Sequence, residues 1–154
     1  MAIADVRNLI SSVIDRFGGD SYESRVDKNT WRVGIGSAGG FIALIENQQE
    51  ADNSDVVAYF PLMKVPVDKS MPFYRRLLEL NRGLMGKASF AVDDENTVSI
   101  IAGRSIVGID PNEMADLIVR TARMADYYDD VLLDEFGREN ALGGGAPKAE
   151  EPKK

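Results

Sequence analysis

A long amphipathic helix predicted over residues 110–136 constrains this chain more than any other feature. Asp110 can cap free N–H groups, Pro111 sits where no N–H is needed, and Glu113 can reach back to the cap. One face behind this start carries apolar and small residues at helical spacing: Met114, Leu117, Ile118, Thr121, Ala122, Ala125, Tyr128 and Leu132. Since small residues let a helix approach a flat surface, we predict that this helix packs across a β-sheet.

Five further stretches have the apolar pattern of strands that could form this sheet. They cover residues 28–37, 41–46, 56–63, 88–92 and 98–105. The first three are joined by short connections, which predict an antiparallel meander, with a turn over residues 37–40. An acidic turn at residues 93–96 predicts a hairpin between the last two.

Two more helices complete the predicted fold. Residues 2–17 form an amphipathic pattern that ends at two glycines, and its mixed polar face favours packing on the sheet over lying on a membrane. Residues 72–85, with Ser70 as the expected cap before them, carry two adjacent apolar stripes, typical of a helix buried on more than one side. The fold class is therefore α+β: a helix, a three-strand antiparallel meander, a helix, a β-hairpin and a helix.

The predicted domain spans residues 1–136. Residues 137–154 are rich in Gly, Pro, Lys and Glu and lack apolar periodicity, so we expect a disordered tail.

The composition of the chain argues against several classes of function. A formal net charge of -7 makes free nucleic acid a poor direct partner, because phosphate binding needs a basic surface. The chain has no Cys and no His, which removes thiolate chemistry, the commonest general base and the commonest metal ligand. We expect no catalytic residue, no cofactor, no metal and no membrane partner. The absence of a signal-peptide pattern leads us to expect a cytoplasmic location.

Two motifs invite a chemical interpretation that their context weakens. Residues 34–39 match the dinucleotide pattern GxGxxG, yet a second strand-like run follows where a helix is required, so a hairpin is favoured. The acidic turn from Asp93 has Val98 and Arg104 where a calcium loop needs Gly and Glu, so a solvated turn is favoured. Glu46, Asp93 and Asp126 are the carboxylates that an enzyme would need, and they fall on separate elements.

A resemblance to a known family rests on the order of these elements and on three local patterns. The run Leu77-Leu78-Glu79-Leu80-Asn81 leads into a Phe-containing strand, an acidic hairpin and the Asp110-Pro111 helix. Over residues 2–136 this arrangement resembles the YbjN-like family and the wider fold of type III secretion chaperones. The resemblance implies an α+β domain, commonly dimeric, that binds protein and does not catalyse a reaction.

The leading functional hypothesis is a protein-binding module that holds a segment of an unidentified partner protein. The segment would contact Trp31, Val33 and Ile35, or the face of the first helix. The alternatives are a dedicated type III secretion chaperone for one effector, and a small-ligand-binding protein or enzyme that uses carboxylates.

The second partner that we expect is another copy of the chain. The homodimer interface is predicted on the second helix, at Phe73, Tyr74, Leu77, Leu78, Leu80 and Leu84. A seam on the final helix, at Leu117, Met124 and Val131, is the alternative.

Overall fold

The computed structural model describes residues 2–143. Within them the chain forms four α-helices: α1 (Ile3–Arg16), α2 (Ser21–Ser24), α3 (Ser70–Leu84) and α4 (Pro111–Phe136). It also forms six strands: β1 (Arg25–Asp27), β2 (Thr30–Ile35), β3 (Ala38–Ile45), β4 (Asp55–Lys64), β5 (Ser89–Val92) and β6 (Thr97–Ser105). Single 3-10 turns lie at Ala51–Asn53, Val67–Lys69 and Arg138–Asn140. None of the helices within residues 2–143 has the length and apolar character needed to cross a membrane.

The strands form one antiparallel sheet in the order β1-β2-β3-β4-β6-β5. The predicted α+β class, meander and hairpin are confirmed, with β6 beside β4 and the shorter β5 at the edge. The predicted number of five strands is wrong, because β1 adds a sixth. Three residues with an irregular register are too few to show an alternating pattern in the sequence.

The turn between β2 and β3 differs from its predicted position at residues 37–40. It consists of Gly36 and Ser37 alone, and Gly36 has a φ of 59°. Residues 38–40 belong to β3, where a β-carbon on Gly40 would overlap the Tyr59 carbonyl oxygen and the Phe60 ring. Close packing between β3 and β4 therefore explains a glycine that the sequence pattern assigned to the turn.

Helix α4 begins as predicted. The Asp110 carboxylate accepts a hydrogen bond from the Glu113 N–H at 2.8 Å, and the Glu113 carboxylate accepts one from the Asp110 N–H at 3.0 Å. The helix contacts β2, β3, β4 and β6, and α1 packs beside it. Fully buried side chains from sheet and helices fill the space between them, among them Ile10, Phe60, Ile100, Met114 and Leu132.

The chain after α4 turns back towards the sheet. Gly137 has a φ of 113°, residues 138–140 make a 3-10 turn, and Ala141 pairs with Met63 of β4. The first residues of the predicted tail thus contact the sheet, while residues 144–154 lie outside the described residues. The predicted domain boundary at residue 136 stays a prediction.

Candidate partner-binding surface

The outer edge of β2 is open along much of its length. Strand β3 pairs with every residue of β2, whereas β1 pairs with Thr30 and Trp31 alone. Within the described residues, residues 32–35 therefore have a neighbouring strand on one side only. An unpaired edge of this kind presents backbone N–H and C=O groups to an added strand.

The register identifies which backbone groups face outward. A two-residue turn makes Ile35 and Ala38 the hydrogen-bonded closing pair. At the other end of the ladder the Leu44 N–H donates to the Asn29 carbonyl oxygen at 2.8 Å, so the odd-numbered residues bond to β3. By alternation, the N–H and C=O groups of Arg32 and Gly34 point towards the open edge.

The connection between α1 and β1 places no strand beside residues 32–35, and α2 within it contacts β2. Gly18, with a φ of 94°, lies two residues after the end of α1, and α2 starts at Ser21. Asp20 caps α2 by accepting hydrogen bonds from the Tyr22 and Glu23 N–H groups at 3.0 and 3.1 Å. Residues 17–24 are thus used in reversing the chain, and β1 begins only at Arg25.

An apolar groove of about 280 Å³ lies beside the open edge, between the end of α1, β2 and α4. Its apolar lining comes from Val13, Ile14, Phe17, Val33, Ile35, Ile118, Val119 and Ala122. Val33 and Ile35 are half-buried and Phe17 is 52% exposed. A segment paired with β2 could therefore place alternate side chains in an apolar environment, which favours binding by the hydrophobic effect.

A hydrogen-bonded clamp holds one end of the groove. The Ser37 N–H and hydroxyl both donate to the same oxygen of Asp126 on α4, and the hydroxyl oxygen also lies 3.2 Å from Asp129, so its one proton is shared between the two carboxylates. Burial raises the pKa of the Asp129 carboxyl; the neighbouring Asp130 and Asp126 add to the rise and the Ser37 hydrogen bond opposes it. The β2–β3 turn is thereby fixed against α4.

A second clamp holds α1 against the opposite end of β2. Glu46 accepts hydrogen bonds from Arg7 at 2.8 Å and Asn29 at 2.6 Å, and Lys28 lies 3.5 Å away. Arg7 also donates to the Asn29 side-chain oxygen at 2.9 Å. The hydrogen bond from Asn29, with the charges of Lys28 and Arg7, lowers the pKa of Glu46. Both walls of the groove are therefore supported by polar contacts outside it.

The three residues predicted to bind a partner fall in different environments. Val33 and Ile35 line the groove, whereas Trp31 is fully buried in the core, with the Arg25 guanidinium 4.9 Å from its ring centroid. Phe17, on the face of the first helix that was the alternative contact surface, also lines the groove, whereas sequence reasoning missed Val119. Its position one residue after Ile118 on the predicted helix was the available signal for Val119.

The carboxylates weighed as catalytic groups have separate structural contacts. Glu46 holds α1 against β2 through its hydrogen bond from Arg7, and Asp126 holds the β2–β3 turn against α4 through Ser37. Asp93 accepts hydrogen bonds from the Glu95 and Thr97 N–H groups, both at 2.9 Å, inside the β5–β6 turn. Residues 2–143 contain no cluster of three or more Asp and Glu side chains that could hold a metal ion. The GxGxxG stretch forms the β2–β3 hairpin, with no helix after it to receive a phosphate.

The residues predicted for a dimer interface also divide between core and surface. Phe73, Leu77 and Leu84 are buried within a single chain, and the Phe73 ring meets Phe136 edge-to-face at 4.9 Å. Tyr74 and Leu80 are partly buried against the core, and Leu78 alone is exposed. On the alternative seam, Leu117 is buried while Met124 and Val131 are half-buried.

The apolar residues that α3 does expose have regular spacing. Met71, Leu78 and Met85, the residue after the helix, are 75%, 69% and 77% exposed. They recur every seven residues, so they lie along one side of the helix.

Comparison with known proteins identifies a matching family and several structures with a similar fold. A family model named YbjN, described as a putative bacterial sensory transduction regulator, matches residues 7–134. No curated protein sequence matches the chain.

Three solved structures are similar. A chain of the ExsC–ExsE complex is 15% identical with a TM-score of 0.60, covering 86% of this chain and 97% of that one. A chain of the heterodimeric ExoU–SpcU complex, from the type III secretion system of Pseudomonas aeruginosa, is 16% identical with a TM-score of 0.52, covering 77% and 95%. The Yersinia pestis type III secretion chaperone SycH, in complex with a stable fragment of YscM2, is 15% identical with a TM-score of 0.45, covering 75% and 96%. The family resemblance and the fold expected from it are confirmed.

Proposed function

The chain belongs to the YbjN family, and on that premise we propose that it is a non-catalytic module that binds an extended segment of a partner protein. The segment would add to the sheet as a strand beside β2. The observation that carries this proposal is the open edge at residues 32–35 next to an apolar groove.

Backbone pairing and apolar burial would act together in this binding. The outward N–H and C=O groups of Arg32 and Gly34 would pair with the segment, and alternate side chains would enter the groove beside Val33 and Ile35. Gly34 has no side chain to obstruct a neighbouring backbone. The structures with a similar fold are complexes with partner proteins, which supports the same kind of activity here.

The test uses a display library of extended 12-residue peptides selected on the full chain. We expect the enriched peptides to alternate apolar and polar residues. Gly34→Pro removes one outward N–H and should weaken the best peptide by about tenfold or more. Val33→Ser should weaken it several-fold, and the matched control Ile45→Ser, at an exposed position on β3, should leave its affinity unchanged.

Amide hydrogen exchange provides a second measurement of the same binding. The Arg32 and Gly34 amides should exchange more slowly when the peptide is bound. Equal affinity for the parent chain and Gly34→Pro, with both shown to be folded by circular dichroism, would refute strand addition at this edge.

A more specialised version of the function is a dedicated type III secretion chaperone in the cytoplasm. One similar structure comes from such a secretion system, which supports this candidate. It differs from a general binding module because it requires one client. A single secreted protein that co-purifies stoichiometrically, and that is lost with Gly34→Pro, would distinguish it.

The proposed unit is a homodimer that pairs through α3. The exposed residues Met71, Leu78 and Met85 would form the seam, since an apolar row of this spacing is typical of helix pairing. Light scattering at tens of micromolar should give twice the chain mass, and Leu78→Glu should halve it. Met124→Glu on α4 is the control. If that variant alone dissociated the dimer, the interface would lie on the final helix.

A further inference from the structure

A second groove runs along the outer side of α4, from Ala115 to Tyr128. Its volume is about 650 Å³, and Phe17 of α1 and Leu84 of α3 close its sides. The residues of α4 that line it are Ala115, Asp116, Val119, Arg120, Arg123, Met124, Tyr127 and Tyr128. It meets the groove beside β2 only at Phe17 and Val119.

The dimensions of this α4 groove suit a helix. At about 1.5 Å per residue, the stretch of α4 that lines it is about 20 Å long, which corresponds to three or four helical turns. Ala115, Val119 and Met124 supply apolar contacts within it, and Tyr127 is 63% exposed at one end. A partner helix could place residues i, i+3 or i+4, and i+7 against such a lining.

The lining of the α4 groove is basic, whereas the chain as a whole is acidic. Arg120 and Arg123 line it, and the Arg16 guanidinium lies 5.0 Å from the ring centroid of Phe17 at its side. The only acidic residue in the lining is Asp116, which pairs with Arg120 at 2.5 Å. The chain as a whole has a net charge of -7, so this strip of arginines stands out as locally basic.

The arginines are incompletely paired. Within residues 2–143, Arg123 makes no ion pair, and the Nε atom of Arg120 is buried without a hydrogen-bond acceptor. Guanidinium groups bind carboxylates well in partly desolvated sites, because they offer several donors in a fixed plane. The buried Nε of Arg120 is out of reach of a partner, whereas Arg123 is exposed, so the lining combines apolar contacts with one guanidinium that can take a carboxylate.

We propose that the α4 groove is a docking site for an amphipathic helix of a partner protein, with acidic residues along the flank that faces Arg120 and Arg123. The exposed helix of a second copy is a poor occupant. Its seam on α3 is flanked by Arg82, which would bring a like charge to the arginines of the groove, and by Arg75, whose charge is already paired with Glu79 at 3.1 Å. This site is additional to strand binding at β2 and does not depend on it.

The experiment selects helical 14-residue peptides from a display library on the full chain. We expect enriched peptides to combine an apolar i, i+4, i+7 face with Glu or Asp on one flank. The best peptide is then measured by fluorescence anisotropy beside a version in which each Glu is replaced by Gln. Arg123→Gln should weaken the acidic peptide by up to about fivefold, and Arg120→Gln with Arg123→Gln by about tenfold or more. The Gln peptide should bind more weakly and respond little to either change.

Matched controls separate this site from general effects and from the strand site. Arg75→Gln, which alters an exposed arginine on α3, should leave the affinity unchanged. Gly34→Pro should also leave it unchanged, whether or not strand addition at β2 is correct. Added salt should weaken the acidic peptide more than the Gln peptide.

Several outcomes would overturn the proposal. These are a failure to enrich any helical peptide, enrichment of neutral or basic peptides, equal affinity for the parent chain and the double arginine variant, and loss of binding with Gly34→Pro. If the double variant changed the sedimentation mass of the free chain, the occupant would be a second copy and the proposal would again be wrong.

Discussion

Asp126 on α4 accepts two hydrogen bonds from Ser37 through one carboxylate oxygen, at 2.8 Å from the backbone nitrogen and 2.8 Å from the hydroxyl. The two residues are 89 positions apart in the chain. Their contact joins the β2–β3 turn to the helix that packs across the sheet. Because β2 and α4 form opposite walls of the groove beside β2, this contact helps to set the width of that groove.

Removal of the Asp126 carboxylate should destabilise the fold. We expect Asp126→Ala to lower the free energy of unfolding by about 1–3 kcal/mol, because the Ser37 donors lose a charged acceptor. Urea denaturation followed by circular dichroism measures this loss. Asp94→Ala, at an exposed position in the β5–β6 turn, is the control and should change stability little. A similar loss in both variants would argue against a special role for the Ser37–Asp126 contact.

Two glycines should respond to alanine with opposite signs. Gly36→Ala should cost more than about 1 kcal/mol, since a φ of 59° disfavours a side chain and a β-carbon would overlap the Asp126 carboxylate. Gly83→Ala should stabilise by up to about 1 kcal/mol, because the position is helical and has open space around it. Thermal melts of both variants provide the comparison. Stabilisation by Gly36→Ala would show that the turn is more adaptable than its geometry indicates.

Glu46 should make stability depend on acid pH. Its pKa in the folded chain is lowered from the ordinary value of 4.5, so its contribution is present above that value and is lost as the pH falls through the lowered pKa. Glu46→Gln should therefore be less stable than the parent chain at neutral pH, with the difference shrinking as the pH falls below about 4.5. Urea midpoints across this range measure the difference. A constant difference at every pH would contradict the assignment to Glu46 ionisation.

Asp129 should change the pH dependence of stability in the opposite direction from Glu46. Its pKa in the folded chain is raised above the ordinary value of 3.8, so its favourable contribution is complete below that value and is lost as the pH rises through the raised pKa. Asp129→Asn keeps an oxygen that can accept from Ser37 and removes the ionisation. Relative to the parent chain, this variant should gain stability as the pH rises from about 4 to neutral. A relative loss over the same range would contradict the effect of burial on this carboxyl.

Local patterns predicted the parts of the fold that depend on neighbours in the chain. The cap formed by Asp110 and Glu113 and the acidic turn after β5 were recognisable because their hydrogen bonds join residues only a few positions apart. Of the candidate site, Val33 and Ile35 could be selected by alternation along one strand. Trp31 shares that alternation, and only the arrangement of the neighbouring elements buries it.

Helix α3 illustrates the limit of periodicity. Two apolar stripes were visible in its sequence, but periodicity cannot tell which of them faces the core. Contact with Phe136 at the end of α4 assigns Phe73 to the interior, while Leu78 points away from it. The deciding partner lies 63 residues further along the chain, as the positions 73 and 136 show.

The sequence by itself determined the three long helices, the main strands and the α+β class of this protein, because each depends on the spacing of apolar residues and on caps and turns within a few residues; the four-residue helix α2 is too short to show such a pattern. The tertiary structure alone decided that β1 pairs no further than Trp31 and leaves residues 32–35 without a second strand, that Phe17 and Val119 meet beside them, and that Phe17, with Arg16 over its ring, lies beside the arginines of α4. Those features join residues from separate elements. The packing of helices on the sheet, and not any local preference, sets which of them become neighbours.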